Sequence, residues 1–464
     1  MKQLLFLFVS LTFLAKVVAQ PISLHPKNPH YLQYKNKPIL LITSAEHYGA
    51  VLNLDFDYKK YLLQLNADGM NMTRTFSGAY CEPPGAFNIA QNTLAPAANK
   101  LITPWARSTD AGYRNGGTKF DLTKWDENYF VRLKQFMREA SRQNIIVEFT
   151  LFCPFYEDTM WIYSPLHPGN NINSTPDLPR TDVYTVDKSG KLLDIQSTLV
   201  RKLVTELNEF DNIIFEICNE PYFGGVTMEW QHLIADVINE TENKLPKKHL
   251  ISQNIANGAS VIERPHPAVS IFNFHYAYPP VAVNYNYHLN KVIGNNETGF
   301  RGTSDSTYRF EGWRFIVAGG GLYNNLDYSF VAGKEDGKFK YPSTQPGGGS
   351  DSLRKQLRYL QKFMSSFNYI NMKPDSMVVD TGVAPGLRYN ALSEKGKQYA
   401  VYLVGNGVSS LTLNVPNGKY IAQWMSPYTG KYDKSFATTS LENKIILEVP
   451  RHTEDIALKI RKAR

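Results

Sequence analysis

The amino-acid sequence predicts an α/β protein in which a (β/α)8 TIM barrel is followed by a small antiparallel β-sandwich. Short β-rich apolar runs alternate with amphipathic helical patterns between about residues 38 and 330, and eight such runs can be counted. This alternation is typical of a parallel sheet covered by helices, and eight strands close a barrel of this kind. After Lys373 the helical periodicity is lost. A chain of 464 residues is long enough for a barrel with an added module.

The eight candidate barrel strands are rich in β-branched and aromatic residues. They are Ile39–Thr43, Met70–Phe76, Ile145–Phe152, Ile213–Cys218, Leu250–Asn254, Val269–Phe274, Val292–Asn295 and Phe315–Ala318. Between them, apolar residues recur at the i, i+3, i+4 spacing of a helix, as in Phe130, Leu133 and Phe136. Long loop-like segments follow the second, third and seventh strands. In a barrel these segments lie at the C-terminal face, where binding sites are built.

The chain is predicted to divide into three parts. Residues 1–19 have the pattern of a signal peptide: Lys2, then the apolar stretch Leu4–Leu14, then small residues up to Ala19. Residues 20–373 form the predicted barrel, and residues 374–464, with short β-rich runs separated by turns, form the predicted β-sandwich. A cleavable leader with no cysteine after it predicts a secreted or periplasmic protein. The apolar stretch is too short for a dedicated membrane span, and no later stretch is long and apolar enough.

The composition argues against several classes of function. The net charge is +8, but there is no run of Lys or Arg and no basic stripe, so no nucleic-acid partner is expected. The three cysteines, Cys81, Cys153 and Cys218, lack the spacing of a metal site and are too few for a disulfide framework. No metal or cofactor is predicted.

Two glutamates follow predicted strands at the same end of the barrel. Glu220 follows the fourth strand in Asn-Glu-Pro, and Glu297 follows the seventh in Asn-Glu-Thr. Facing strand ends of one barrel can bring two carboxyl groups within the roughly 5–5.5 Å that glycoside hydrolysis with retention requires. Asp327 and Glu311 are alternatives for Glu297. The non-functional interpretation is that such glutamates form salt bridges with arginines at the barrel rim.

These positions resemble a clan A glycoside hydrolase, the group that includes cellulase-like enzymes. In that clan an Asn-Glu pair ends strand four and a Glu ends strand seven, as Glu220 and Glu297 do here. Arg74 ends the second strand and His275-Tyr276 the sixth, again as in the clan. The resemblance implies that Glu220 is the acid/base and Glu297 the nucleophile of a retaining enzyme acting on a carbohydrate.

The resemblance also assigns substrate-binding roles. It implies that Asn219 bonds the sugar 2-hydroxyl and that Tyr276, or Tyr278, bonds the nucleophile. Glu46, His47 and Tyr48 follow the first strand and are candidates for lining the sugar pocket, with loop packing as the alternative.

The two-part layout is similar to that of barrel proteins related to apiosidase-like enzymes. One departure is that Gly319-Gly320-Gly321 stands where the clan often has a Trp after strand eight. A competing hypothesis from another class is a non-catalytic carbohydrate-binding or adhesion protein that keeps the barrel as a scaffold.

Overall fold

A computed structural model describes residues 20–381, 386–407 and 409–463. The predicted signal peptide, residues 1–19, lies outside the described residues. Among the residues that the structure describes, no helix combines the length and the apolar character needed to span a membrane.

Eight parallel strands form the central sheet of the molecule. They are Leu41–Ala45, Met72–Phe76, Ile146–Phe152, Ile213–Cys218, Leu250–Asn257, Val269–His275, Val292–Glu297 and Leu322–Leu326. From the second strand to the eighth, each pairs with the next in chain order, and the eighth pairs with the first. The first and second strands also lie in contact, which brings the sheet round to a nearly closed barrel. The predicted fold class is therefore confirmed.

Helices follow most of the strands and cover the sheet. The main ones are Tyr58–Asp68, Glu127–Arg142, Lys191–Leu207, Met228–Glu242, Val281–Asn286, Asp305–Val317 and Asp351–Ser365. The helix Glu127–Arg142 shows why they form. Asp126 accepts hydrogen bonds from two backbone N–H groups of its first turn, and the face containing Phe130, Leu133 and Phe136 is buried against the barrel.

The prediction for the eighth strand was wrong. The run Phe315–Ala318 lies at the end of the helix Asp305–Val317 and its cap, and the strand is Leu322–Leu326. A short apolar run fits a buried helix as well as a strand, and this helix is buried on several sides. The strand Leu322–Leu326 was not predicted because it contains two polar residues, Asn324 and Asn325, which are fully buried in the structure.

The N-terminal end of the barrel is closed by a small antiparallel sheet. Its strands are Ser23–Leu24, Leu32–Tyr34 and Lys37–Ile39. Ile22, Leu32 and Tyr34 share one apolar cluster with a residue near the start of each barrel strand. That cluster also contains Leu41, Met72, Ile146, Ile214, Leu250, Ile271, Val292 and Leu322. Because this end is sealed by apolar contacts, a site inside the barrel opens at the C-terminal face.

The C-terminal region consists of two antiparallel sheets that enclose an apolar core. One sheet contains Lys373–Pro374, Arg388–Glu394, Gln398–Val404, Asp455–Lys462, Gly418–Met425 and Phe436–Ser440, and the other Val379–Thr381, Ser410–Asn414 and Lys444–Glu448. The predicted β-sandwich is thus present, while the domain division at residues 373 and 374 stays a prediction. The sandwich packs on the barrel helix Asp305–Val317, where Trp313 stacks on Tyr402 with ring centroids 5.2 Å apart.

Candidate active site

Glu220 and Glu297 meet at the C-terminal mouth of the barrel. Glu297 is the last residue of the seventh strand, and Glu220 follows the fourth strand by two residues. A carboxylate oxygen of each lies within 4.8 Å of the other, and of a ring nitrogen of His275. Both side chains are buried, with 7% of Glu220 and 5% of Glu297 exposed. The structure therefore brings the two predicted carboxylates into one site.

The backbone has an uncommon conformation at three residues of the carboxylate network. Tyr48, Glu220 and Tyr276 have φ angles of +63°, +34° and +51°. The left-handed region is unfavourable for residues with a Cβ atom, and such residues cluster at functional sites because the surrounding fold must hold them there. In this case all three side chains take part in the carboxylate network. The surrounding fold holds the backbone in this conformation, and in it the three side chains meet at the barrel mouth.

His275 lies between the two carboxylates. Its Nδ1 atom is 3.1 Å from Oε1 of Glu220 and 3.4 Å from Oε1 of Glu297. Complete burial by itself would lower the pKa of His275, but the two carboxylates outweigh it and raise the pKa to about 9. At neutral pH the ring is an imidazolium that supplies positive charge between the two acids.

Glu297 is surrounded by hydrogen-bond donors. Its Oε2 accepts from the Tyr48 hydroxyl at 2.6 Å and from Arg74 Nη1 at 3.2 Å, and its Oε1 accepts from the Tyr276 hydroxyl at 2.6 Å. Burial would raise the pKa of Glu297, but the charge and hydrogen bond of His275, with Arg74, hold it well below its usual range. Burial raises the pKa of Tyr48 and Tyr276 well above 10, so both phenols remain donors. Glu297 is consequently an anion at working pH.

Glu220 has a different set of partners. The Tyr156 hydroxyl donates to its Oε2 at 2.7 Å, and the Tyr222 hydroxyl lies 3.2 Å from its Oε1. Asn219 supports this arrangement because its Nδ2 donates to the Tyr156 oxygen at 2.8 Å. Its Oδ1 accepts from Arg74 Nη2 at 2.6 Å. Asn219, predicted to bind substrate, lies in the pocket wall beside Glu220.

Arg74 connects the mouth of the barrel to a buried polar layer beneath it. Its Nε atom donates to Glu216 Oε2 at 2.8 Å. One level down, Asn296 Nδ2 bridges Glu216 at 2.7 Å and Glu148 at 3.0 Å. Burial, with the nearby charge of Glu216, raises the pKa of Glu148 to about 7. Barrel interiors are usually filled by branched apolar side chains, so this layer is a special feature that holds Arg74 in place.

The remaining candidates from the sequence lie in different places. Glu46 is fully buried and accepts from the Gly49 and Ala50 backbone and from Thr93, so it holds the loop after the first strand together. His47 lines the pocket, with its Nε2 3.5 Å from Glu82 Oε2.

Three further candidates bond to arginines. Tyr278 accepts from Arg388 at 3.3 Å, and it is Tyr276 that bonds Glu297. Asp327 pairs with Arg354, and Glu311 with Arg301, each at 2.6 Å.

The carboxylates open into a pocket of about 270 Å³. The sequence analysis missed several aromatic and acidic residues of this pocket, and all of them except Phe76, which ends the second strand, come from loops. They are Phe76, Glu82, Phe87, Tyr156, Phe223 and Phe300. Tyr48, predicted together with Glu46 and His47, also lines the pocket. Glu148 and Glu216 were missed as well, although a lone charged residue in an apolar strand is a usable signal of a polar barrel interior. The loop residues carried no such signal.

Glu220, His275 and Glu297 also have the ligand atoms and the proximity that a metal site would need. The nitrogen of His275 that faces both carboxylates carries a proton, because the pKa of this ring is raised to about 9. A metal ion would have to displace this proton, and the Nδ1 atom lies in direct contact with both carboxylates, at 3.1 Å from Glu220 and 3.4 Å from Glu297.

The fold is shared with glycoside hydrolases of known structure. A proposed glycoside hydrolase from Bacteroides vulgatus aligns over 96% of this chain and 83% of its own, with a TM-score of 0.69 and 13% identity. A glycoside hydrolase family 5 protein from the same organism aligns over 95% and 93%, with a TM-score of 0.62 and 13% identity. An endo-1,4-beta-mannanase from Rhizomucor miehei aligns over 75% and 100%, with a TM-score of 0.52 and 11% identity.

At the level of sequence, no family model matches the chain, and no curated protein matches it. The structural matches confirm the predicted likeness to cellulase-like barrels as a likeness of fold. The predicted relation to apiosidase-like proteins stays a prediction.

Proposed function

We propose that the protein is a secreted, retaining glycoside hydrolase that cleaves O-glycosidic bonds of a poly- or oligosaccharide by double displacement. The observation that carries the proposal is the separation of the two carboxylates, whose nearest oxygens lie within 4.8 Å. Retaining enzymes hold the two carboxyl groups about 5–5.5 Å apart, whereas inverting enzymes leave about 6.5–9.5 Å for a water molecule. The likeness of the fold to glycoside hydrolases supports the same class.

The surroundings of each glutamate support its role. Arg74 donates directly to Glu297, which also accepts from two phenols, and this set stabilises the ionised form that a nucleophile needs. Glu220 is bonded by Tyr156 and lines the same pocket as the exposed side chain of Phe223. In the pocket wall it can meet both the departing oxygen and an incoming water.

The reaction follows from these positions. Glu220, protonated, donates its proton to the glycosidic oxygen while Glu297 attacks the anomeric carbon, so the C–O bond to the leaving group breaks and a glycosyl-enzyme forms. Glu220, now a carboxylate, removes a proton from water, and the water oxygen displaces Glu297 from the anomeric carbon. The sugar leaves with its original configuration and both glutamates return to their starting states. The charge of His275 keeps Glu297 ionised before its attack and again after water has displaced it.

A non-catalytic carbohydrate-binding protein would not need two acids in such different environments.

The proposal is tested by incubating the purified protein with a panel of plant, algal and host glycans and recording the ¹H NMR spectrum of the first sugar released. Appearance of the substrate's own anomer before mutarotation is the expected result, and the opposite anomer would contradict retention. For secretion, N-terminal sequencing of the exported protein should begin at Gln20.

A further inference from the structure

Seven aromatic side chains around the mouth of the barrel touch one another in a closed ring. Centroid distances are 5.1 Å for Tyr222–Phe223, 5.8 Å for Phe223–Tyr156, 5.2 Å for Tyr156–Phe87 and 6.2 Å for Phe87–Phe300. The ring continues at 6.2 Å to Tyr276 and 5.9 Å to His275, and closes at 6.4 Å back to Tyr222.

The members of this ring follow several of the barrel strands. Phe87 comes after the second strand, Tyr156 after the third, Phe223 after the fourth, Tyr276 after the sixth and Phe300 after the seventh. Tyr222 and His275 connect the fourth and sixth strands, and Phe87 and Phe300 connect the loops after the second and seventh strands, so the ring contains no residue that follows the first, fifth or eighth strand. Each member of the ring is therefore in contact with the next, and the ring joins loops from several sides of the barrel mouth.

The wall has a polar lower part and an apolar rim. Tyr156, Tyr222, Tyr276 and His275 each place a polar atom against Glu220 or Glu297. The other three members, Phe87, Phe223 and Phe300, are 37%, 43% and 36% exposed and bear no polar group. Exposed phenylalanines around a pocket are suited to stacking on the apolar face of a sugar ring.

We infer that this pocket accepts only the non-reducing end of a glycan, releases one sugar at a time, and stacks the departing chain on Phe223. The inference rests on the proposed glycosidase function. An internal unit of a polymer needs a cleft that is open on two sides, and a continuous ring of aromatic contacts around the mouth favours a pocket over such a cleft. Phe223 follows Glu220 by three residues, so the chain that Glu220 protonates leaves past this phenylalanine. The pocket volume of about 270 Å³ lies just below the usual range for drug-sized ligands.

The probes are reducing-end-labelled oligosaccharides of mannose, xylose, glucose and galactose, together with the corresponding polymers. On whichever of them is cleaved, the expected early products are free monosaccharide and a labelled chain one unit shorter, with polymer viscosity unchanged. Labelled products of many lengths and an early fall in viscosity would overturn the inference and leave the glycosidase function intact. If these probes and the matching glycosyl fluorides all stayed uncleaved, the proposed function itself would fail, and the inference with it.

The stacking role of Phe223 is tested with Phe223→Ala. KM for the oligosaccharide should rise about fivefold, because an aromatic contact with the leaving chain is lost. KM for the glycosyl fluoride should rise much less, since fluoride has no ring to stack. Phe436→Ala, which removes a phenylalanine of similar exposure from the β-sandwich, is the matched control and should change neither value. An equal rise for both substrates in Phe223→Ala would mean that this residue only shapes the pocket, and would overturn its assignment.

Discussion

Arg74 donates a hydrogen bond of 3.2 Å from Nη1 to Oε2 of Glu297, at the centre of the proposed site. The same guanidinium bonds Glu216 through Nε at 2.8 Å and Asn219 through Nη2 at 2.6 Å. One planar cation thus orients Glu297, the proposed nucleophile, together with a buried carboxylate beneath it and an amide in the pocket wall. A lysine has one point charge and cannot reproduce this fork of donors.

Replacing Arg74 by lysine should therefore impair catalysis. We expect kcat/KM to fall about 100-fold, the size of effect seen when one preorganised donor is removed from an active site. Loss of the hydrogen bond to Glu297 should raise the pKa of that carboxylate, and activity requires it ionised. The acid limb of the pH profile of kcat/KM should move to higher pH. An acid limb at the wild-type position would contradict the role given to Arg74.

His275 should make the folding stability depend on pH in the alkaline range. Its pKa is raised from 6.5 to about 9 in the folded protein, so the stabilisation is complete below pH 6.5 and is lost as the pH rises through 9. A shift of this size corresponds to roughly 3 kcal/mol. Urea unfolding at pH 6.5 and 9.5 measures it. In His275→Asn the free energy of unfolding should fall less between pH 6.5 and 9.5 than in the wild type. An equally large fall in this variant would mean that other groups cause the effect.

Glu148 should produce a second, more acidic dependence. Burial and the charge of Glu216 raise its pKa from 4.5 to about 7, so its favourable contribution is present below pH 4.5 and disappears as the pH rises through 7. Burial also raises the pKa of Glu46 and of Glu311 to about 7, so both carboxyl groups should make the folded protein less stable over the same rise in pH. The free energy of unfolding should fall between pH 5 and 8. Glu148→Gln should flatten this fall, and an unchanged slope in that variant would contradict the assignment.

A buried ion pair joins the barrel to the β-sandwich, and we predict that breaking it lowers the free energy of unfolding strongly. Arg309 and Asp455 are 1% and 2% exposed and bond at 3.0 Å. Arg309→Met should lower the free energy of unfolding by about 3–5 kcal/mol, because it leaves a buried carboxylate without its partner. Adding Asp455→Leu should restore part of the loss. Arg138→Met, at a pair with both side chains more than half exposed, is the control and should have little effect.

The sequence predicted those site residues that stand at strand ends. Glu297 and His275 are the last residues of their strands, Glu220 follows the fourth strand by two residues, and Arg74 lies within the second strand near its end. Counting the β-rich runs is enough to bring these residues to one face of a barrel. The eighth strand was misplaced, yet this did not disturb the site, since Glu220 and Glu297 come from the fourth and seventh strands.

The rest of the pocket could not be predicted for a physical reason. Phe87, Tyr156 and Phe300 lie in long loops, whose conformation depends on tertiary contacts and leaves no periodicity in the sequence. Glu46 was a candidate because it follows the first strand. In the structure Glu46 accepts hydrogen bonds from the backbone of residues 49 and 50 instead. This contact depends on a tight turn after the strand, and the position of Glu46 in the sequence does not indicate that turn.

The most direct test of the account is azide rescue of Glu220→Ala and Glu297→Ala, with a nitrophenyl glycoside of the sugar identified in the glycan screen. In Glu220→Ala the glycosyl-enzyme should still form, because nitrophenolate leaves without protonation, and azide should attack it without needing a base. The product should be a glycosyl azide with the anomeric configuration of the substrate. In Glu297→Ala azide should enter the vacated space and give the opposite configuration. NMR of the two azides would contradict the assigned roles if the configurations were exchanged, and wild-type activity in both variants would contradict the catalytic account altogether.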